Sequence, residues 1–259
     1  MILDDIAEYT KQRVRALKAK KSLYAVRDEA EGRPQGKDFR AALAASGLSV
    51  IAELKKASPS KGLIAPDFEQ RYLQQAAAYE QGGASAISCL TEPRFFLGSD
   101  AYLQSVRQTV ELPILRKDFT VDEYQIYEAK NIGADAVLLI CSLLSTAQLG
   151  EYLAQAHELG LSALVEAHTA DEVQQALAAG AEIIGVNNRN LKDFSVNPVN
   201  SLRLREAIPA SKIFVAESGI QCAADTQALK QAGVQAVLVG EALMRSADAA
   251  AMLKEMRDA

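Results

Sequence analysis

The sequence predicts an α/β protein built as one closed barrel of eight strand–helix units, preceded by a helical extension. Short apolar runs rich in β-branched residues recur behind a glycine, as after Gly83, Gly133, Gly160, Gly180 and Gly233. Each is typical of a helix C-cap that leads into a buried strand. Segments rich in Ala, Gln and Glu, which favour helix, separate these runs. Continuous apolar strands that alternate with helices predict a parallel sheet covered by helices.

Eight strands can be placed along the chain. The glycine-led runs leave two gaps in a repeat of about 25 residues, and strands over residues 112–117 and 213–217 fill them, while residues 49–54 open the series. The alternative is an open doubly wound sheet, but the first strand–helix turn contains no GxGxxG motif, so dinucleotide binding has little support. Helices are predicted between the strands, among them residues 69–81, 147–159, 170–179 and 223–232.

Residues 1–45 do not follow the repeat and form the predicted N-terminal extension of a single domain, residues 1–259. Ile6, Tyr9, Val14 and Leu17 mark one face of an amphipathic helix over residues 4–21. Two positions for this helix stay open. It either plugs the bottom of the barrel or lies near the mouth, where its basic residues meet a substrate anion. A second short helix is predicted over residues 39–45.

Composition and charge argue against several classes of partner and compartment. The 28 Lys and Arg against 33 Asp and Glu give a net charge of −5, so the surface has no general attraction for nucleic acid or anionic lipid. Three cysteines outside any CxxC pattern support neither a disulfide framework nor a zinc site. The acidic N-terminal sequence and the absence of a long apolar run predict neither a signal peptide nor a membrane span. We therefore expect a cytoplasmic protein with no metal.

Charged and amide side chains end most of the predicted strands, and in such a barrel the reacting groups gather at those ends. Because side chains alternate along a strand, Glu53 and Lys55 share a face, as do Asn187 and Arg189. Of the two histidines, His157 is expected at the surface and His168 at the rim. The sequence thus offers too few histidines for a histidine triad or a metal site, and Lys and Glu are the candidates for proton transfer. The polar strand endings are Glu53, Lys55, Lys117, Glu166, Asn187, Arg189 and Glu217.

The turns after the seventh and eighth strands predict a phosphate site. Ser218 and Gly219 follow the seventh strand, and Gly240 and Glu241 follow the eighth. Glycine at a strand-to-helix turn lets backbone N–H groups point at an anion, and these two loops are the usual phosphate cradle of barrel enzymes. From the first loop, Lys55 or Ser58 can complete the cradle.

Several motifs together resemble the indole-3-glycerol-phosphate synthase family of tryptophan biosynthesis, over essentially the whole chain. The two most specific are Glu53-Leu-Lys55-Lys-Ala-Ser58-Pro-Ser60 and Arg116-Lys117-Asp118-Phe119. The resemblance implies a (β/α)8 TIM barrel that acts as a carboxy-lyase without a cofactor. The further matching segments are residues 90–99, 185–189 and 217–220.

The same resemblance implies a substrate and roles for residues. The family closes 1-(2-carboxyphenylamino)-1-deoxyribulose 5-phosphate into an indole with loss of carbon dioxide and water. We expect Lys117 to protonate the ketone oxygen, while Glu53, Lys55 and Glu166 share the other proton transfers in an order that the sequence leaves open. The remaining implied contacts are Asn187 and Arg189 at the substrate hydroxyls and the catalytic groups, Glu217 at a lysine or the substrate, Ser58, Ser218, Gly219, Gly240 and Glu241 at the phosphate, and Phe96, Phe119 and Leu138 as an apolar wall.

Two other functions stay open at this stage. A Schiff-base enzyme of the aldolase type would also place a lysine at a strand end, with Lys117 as its nucleophile. A barrel that has lost catalysis could bind a phosphate ligand only, although such a protein would be expected to lose charges from its strand ends. The expected partner is a small phosphosugar–anthranilate molecule, and the chain can be a monomer or a homodimer.

Overall fold

Eight parallel strands close into a barrel in the computed structural model, which describes residues 2–45, 47–190 and 194–259. The first strand pairs with both the second and the eighth, so the ring is complete. The predicted (β/α)8 barrel is therefore confirmed over the open sheet. The strands are β1 (Ser49–Leu54), β2 (Ala86–Leu90), β3 (Ile114–Lys117), β4 (Ala136–Ile140), β5 (Ser162–Ala167), β6 (Ile183–Asn187), β7 (Ile213–Glu217) and β8 (Ala236–Val239).

Helices cover the outside of the barrel, and side chains cap the first turns of several of them. Ser145 and Gln148 form a reciprocal capping box at one helix start, and Thr169 caps the next by accepting from the backbone of Glu172. Such caps satisfy backbone donors that the helix leaves free. The helices after the first strand are α4 (Phe68–Gln81), α5 (Asp100–Arg107), α6 (Tyr124–Asn131), α7 (Thr146–Glu158), α8 (Ala170–Ala178), α9 (Val199–Leu204), α10 (Ala223–Gln231), α11 (Glu241–Arg245) and α12 (Ala249–Asp258).

The N-terminal extension contains α1 (Ile2–Lys20), α2 (Leu23–Glu31) and α3 (Phe39–Leu43). Helix α1 lies near the mouth of the barrel, because its first residues line the cavity there. It brings apolar side chains to that cavity and not the basic residues that the mouth hypothesis expected. The bottom of the barrel is closed by α3, whose two end residues are fully buried among the interior side chains. Helix α2 was not predicted from the sequence.

The barrel interior is apolar up to its last inward-facing layer. Ile51, Leu115 and Leu164 belong to one buried cluster inside the barrel. Side chains alternate along a strand, so the residue two positions further on faces inward again. At that next position the apolar residue gives way to Glu53, Lys117 and Glu166 on β1, β3 and β5. The charged residues that end these strands therefore form a ring of charged groups at the carboxyl end of the barrel.

Candidate active site

A cavity of about 850 Å³ occupies the carboxyl end of the barrel, and we call it the central cavity. Side chains of the barrel strands form its floor, and the loops that follow the strands form its walls. Every catalytic or binding residue predicted from the sequence lines it. These are Glu53, Lys55, Ser58, Phe96, Lys117, Phe119, Leu138, Glu166, Asn187, Arg189, Glu217, Ser218, Gly219, Gly240 and Glu241.

Lys117 lies between two buried carboxylates at the floor of the cavity. Its Nζ donates to Glu166 Oε2 at 2.9 Å and to Glu217 Oε2 at 3.2 Å. Burial lowers the pKa of the Lys117 ammonium, but the charges of the two carboxylates, with Glu53 behind them, outweigh burial and raise it. Lys117 therefore stays protonated at neutral pH and can act as a proton donor or as a fixed positive charge.

The two carboxylates have pKa values shifted in opposite directions. Burial raises the pKa of Glu166, but the charges of Lys117 and His168, with hydrogen bonds from Lys117 and Asn187, overcome it and lower the pKa to about 2. Burial also raises the pKa of Glu217, and there the Lys117 charge does not compensate, so the pKa reaches about 7. Glu166 is thus ionised at neutral pH, as a base must be, while Glu217 can hold a proton.

Glu53 and Lys55 form a second ion pair, with Lys55 Nζ donating to Glu53 Oε1 at 2.5 Å. Gly240, at the end of β8, makes room for this pair. A Cβ atom at Gly240 would overlap Glu53 Oε1 and lie 2.9 Å from Lys55 Nζ. A side chain at this position would therefore displace the ion pair from its present geometry.

Asn187 and Arg189 support the edge of the cavity at the end of β6. Asn187 Nδ2 donates to Glu166 Oε1 at 3.2 Å, and Asn187 Oδ1 accepts from the backbone N–H of Arg189 at 2.9 Å. The Arg189 guanidinium donates to the carbonyl of Phe194 at 3.1 Å. Asn187 thus fixes one oxygen of Glu166 while the other oxygen contacts Lys117.

One wall of the cavity is aromatic. The rings of Phe96 and Phe119 lie 5.8 Å apart between centroids and are tilted by 39°. Leu138 is almost fully buried and contributes to the floor beside them. Ile2 and Leu3 of α1 add apolar surface. These two residues were not predicted as site residues, because the sequence pattern does not say over which end of the barrel α1 lies.

The loop after β7 has the backbone geometry expected of an anion cradle. Ser218 and Gly219 both have left-handed backbone angles, with φ of 67° and 81°, which Gly tolerates and other residues rarely adopt. Successive backbone N–H groups in such turns form a concave, electropositive surface. The side chain of Glu241 is engaged elsewhere, since it pairs with Arg245 at 3.2 Å and with Lys61 at 3.6 Å.

His168 departs from its expected place at the rim. Its ring is largely buried beside Glu166, with Nε2 3.5 Å from Glu166 Oε1. The sequence could have predicted this contact, because His168 stands two residues after Glu166 and strand alternation places both side chains on one face. His157 is exposed on α7, as expected.

Neither a metal cluster nor a membrane helix is found in the described part of the chain. There, groups of three or more His, Cys, Asp or Glu side chains suited to a metal ion do not occur. None of the helices in residues 2–45, 47–190 and 194–259 combines the length and the apolar character needed to cross a bilayer.

Comparison with known families matches residues 3–256 to the model described as indole-3-glycerol phosphate synthase. The chain belongs to this family. Among its relatives, the indole-3-glycerol phosphate synthase of Ruminiclostridium cellulolyticum is 55% identical over 259 residues, covering 99% of both chains. That of Endomicrobium trichonymphae is 52% identical over 260 residues, covering 100% of both. Membership in the indole-3-glycerol phosphate synthase family confirms the resemblance of the motifs and the expected carboxy-lyase class.

Solved structures with low sequence identity show the same fold. A 3-hexulose-6-phosphate synthase superposes with a TM-score of 0.66 at 18% identity, covering 82% of this chain and 99% of that one. At this identity the likeness concerns the barrel and carries no argument about the reaction.

Proposed function

We propose that the central cavity converts 1-(2-carboxyphenylamino)-1-deoxyribulose 5-phosphate into indole-3-glycerol phosphate, carbon dioxide and water. The observation that carries this proposal is the Lys117 ammonium held between Glu166 and Glu217 inside a cavity that also has an aromatic wall. An acid and an ionised base within one hydrogen bond of each other are what ring closure and dehydration require. Family membership supports the same reaction.

We place the substrate with its phosphate at the loops after β7 and β8 and its aromatic ring at Phe96 and Phe119. The left-handed turn at Ser218 and Gly219 supports the phosphate end. Backbone donors at Gly240 and the hydroxyl of Ser58 would add to it, while Lys55 supplies positive charge nearby. In this orientation the carbon chain of the substrate crosses the floor where Lys117 lies.

Ring closure forms a bond between the ring carbon that bears the carboxylate and the ketone carbon. The electron pair of the C=O bond moves to oxygen, which takes a proton from Lys117. Departure of carbon dioxide returns the C–C electron pair to the ring and restores its aromaticity. The ammonium offsets the developing charge on oxygen in a buried site, where a fixed charge acts more strongly than in water.

Dehydration completes the reaction. The hydroxyl leaves as water with a proton from an acid, and a base removes a proton as the indole becomes aromatic. Glu166 is ionised and suits the base, and Lys55, paired to Glu53, suits the acid. Asn187 holds Glu166 in place, and Arg189 lies beside it to meet substrate groups.

The electrostatics of Lys117 argue against the Schiff-base alternative. A lysine nucleophile must be neutral, and enzymes lower its pKa by desolvation or by a neighbouring cation. Lys117 instead faces three carboxylates that raise its pKa. A binding protein without catalysis is also disfavoured, because both lysine–glutamate pairs are present in the cavity.

The test is a direct assay of the purified protein with the carboxyphenylamino substrate. We expect indole fluorescence to appear together with one equivalent of carbon dioxide, and we expect borohydride to trap no adduct on Lys117. A borohydride adduct lost in Lys117→Met would favour the Schiff-base enzyme. Saturable binding without any turnover would favour the binding protein.

We also propose that the protein acts in the cytoplasm as a single domain, either as a monomer or as a homodimer. Membership in a family of biosynthetic enzymes and three free cysteines support the compartment. Light scattering of the purified chain measures the oligomeric state.

A further inference from the structure

His168 lies between two carboxylates, one in the central cavity and one outside it. Its Nε2 is 3.5 Å from Glu166 Oε1, and its Nδ1 is 3.3 Å from Glu172 Oε2. Glu172 stands in the first turn of α8 and also accepts from the backbone N–H of His168 at 2.5 Å. The ring is therefore held by α8 on one edge and faces Glu166 with the other.

The edge of the ring that faces Glu166 has a nitrogen without another partner. Among the described residues, His168 Nε2 is buried and makes no hydrogen bond within ordinary geometry. A buried polar atom that stays unpaired costs free energy, and Glu166 Oε1 is the acceptor beside it. Hydrogen bonds of catalytic groups are often long in a protein without substrate and shorten in the complex. The 3.5 Å separation at Glu166 fits that behaviour.

The surroundings of the ring are mostly acidic. A second cavity of about 540 Å³ lies on the Glu172 side and shares Asn187 and Arg189 with the central cavity. Burial lowers the pKa of His168, but the hydrogen bond to Glu172 and the charge of Glu166 outweigh it and raise the pKa. The charged groups that act on the ring or line the second cavity with it are Glu166 on β5, Glu172 on α8, Glu217 on β7, Asp4 on α1 and Arg189 after β6. Lys117 on β3 contacts the other oxygen of Glu166.

We propose that His168 is a positioning residue for Glu166. Its imidazole bridges Glu166 and Glu172 through both ring N–H groups. The bridge holds the carboxylate oxygen that Lys117 does not contact and keeps Glu166 ionised and oriented toward the substrate. The inference rests on the proposed function, because it assumes that Glu166 acts as a base. Together with Asn187, His168 limits the rotation of a group whose misplacement by about 1 Å can cost a hundredfold in rate.

The chain has two histidines, which allows a direct test by NMR. In protein labelled with ¹³C at histidine Cε1, His157 on the surface serves as the internal reference. We expect the His168 signal to titrate at higher pH than a free imidazole, because Glu172 and Glu166 favour the charged ring. Glu166→Gln and Glu172→Gln should each lower the His168 midpoint, because each removes a negative charge beside the ring, and should leave the signal of the distant His157 unchanged.

Kinetics supply the second readout. We expect kcat to fall as pH rises through the His168 midpoint, since the neutral ring loses one donor. His168→Gln should lower kcat by roughly 10-fold to 100-fold with KM nearly unchanged and should abolish this alkaline limb. In Glu172→Gln the limb should move to lower pH. His157→Gln is the matched control and should behave as wild type, and His168→Asn replaces His168→Gln if the latter does not fold.

Two results would overturn the inference. One is a His168 midpoint that does not respond to Glu166→Gln, and the other is a His168→Gln variant that keeps the wild-type kcat and alkaline limb. The NMR titration needs no substrate. A shifted midpoint in a protein that forms no indole would thus refute the proposed function and leave the bridge intact.

Discussion

Two carboxylates that contact the same ammonium differ in their other neighbours. Glu166 uses its second oxygen to accept from Asn187. The corresponding oxygen of Glu217, Oε1, is buried without a hydrogen bond among the described residues. Hydrogen bonds to the charged form stabilise it, and burial without them favours the neutral acid. Burial and nearby charges set most of the difference, since Lys117 and His168 lower the pKa of Glu166 and the charge of Glu166 raises that of Glu217, and the Asn187 hydrogen bond adds to it.

The raised pKa of Glu217 predicts a pH dependence of stability. Its pKa is about 7 in the folded protein and about 4.3 when unfolded. The folded state then binds more protons, so the stabilising contribution is full below pH ~4.3 and is lost as pH rises to ~7. Glu217→Gln should flatten the dependence of Tm on pH in this window. An unchanged slope in a calorimetric series would show that Glu217 is ionised throughout.

The two glutamates assigned to proton transfer can be separated by isosteric variants. Glu166→Gln and Glu53→Gln nearly keep the side-chain shape but cannot accept a proton. We expect both to bind substrate with similar affinity and to turn over slowly. At least one should release carbon dioxide before indole absorbance appears in a single turnover. If the two signals stay synchronous in both variants, neither carboxylate acts in dehydration, and the base is Glu217 or water.

At the scale of elements, helix α1 is tied to the loop that carries part of the site. Arg13 donates to Asp118 at 2.5 Å, next in the chain to Lys117, and Lys18 pairs with Asp122 further along that loop. Asp118 is also 3.5 Å from the buried guanidinium of Arg116. These contacts hold α1 in the position where Ile2, Leu3 and Ile6 line the central cavity.

Loss of the Arg13 contact should loosen α1 and weaken substrate binding. Arg13→Met leaves the buried Asp118 with fewer partners, and we expect a loss of about 1–3 kcal/mol in stability. Hydrogen exchange in α1 should accelerate and KM should rise more than kcat falls. Arg15→Met is the control, because Arg15 is exposed and lies two residues further along the same helix. Equal exchange rates in the two variants would mean that α1 is held by its apolar face alone.

The loop after β7 can be tested through Gly219. A Cβ there would lie 2.7 Å from Val196 Cγ1, and φ is 81°. Gly219→Val should raise KM more than it lowers kcat, and inorganic phosphate or sulfate should compete with the substrate. Gly180→Val is the matched control, because Gly180 has φ of 92° with open space around it. If neither anion competes even weakly, the phosphate binds elsewhere.

For the whole molecule, the barrel could be predicted because its strands are continuous apolar runs and its helices are not. The site could be predicted because alternation fixes which residue ends each inward-facing row, as at Ile51 and Glu53. Helix α2 was missed because it is only nine residues long, so its apolar periodicity extends over little more than two turns. The sequence did not predict at which end of the barrel α1 lies, and the reason is different. An amphipathic pattern is the same for a helix that plugs the bottom and for one that covers the mouth.

The turnover of Lys117→Ala in the indole fluorescence assay tests the central claim most directly. Lys117 is the residue in contact with both Glu166 and Glu217 at the floor of the cavity. Loss of a general acid should lower kcat by roughly 10²-fold to 10⁴-fold, while circular dichroism shows an intact fold. Turnover near the wild-type rate in a folded Lys117→Ala protein would contradict the account.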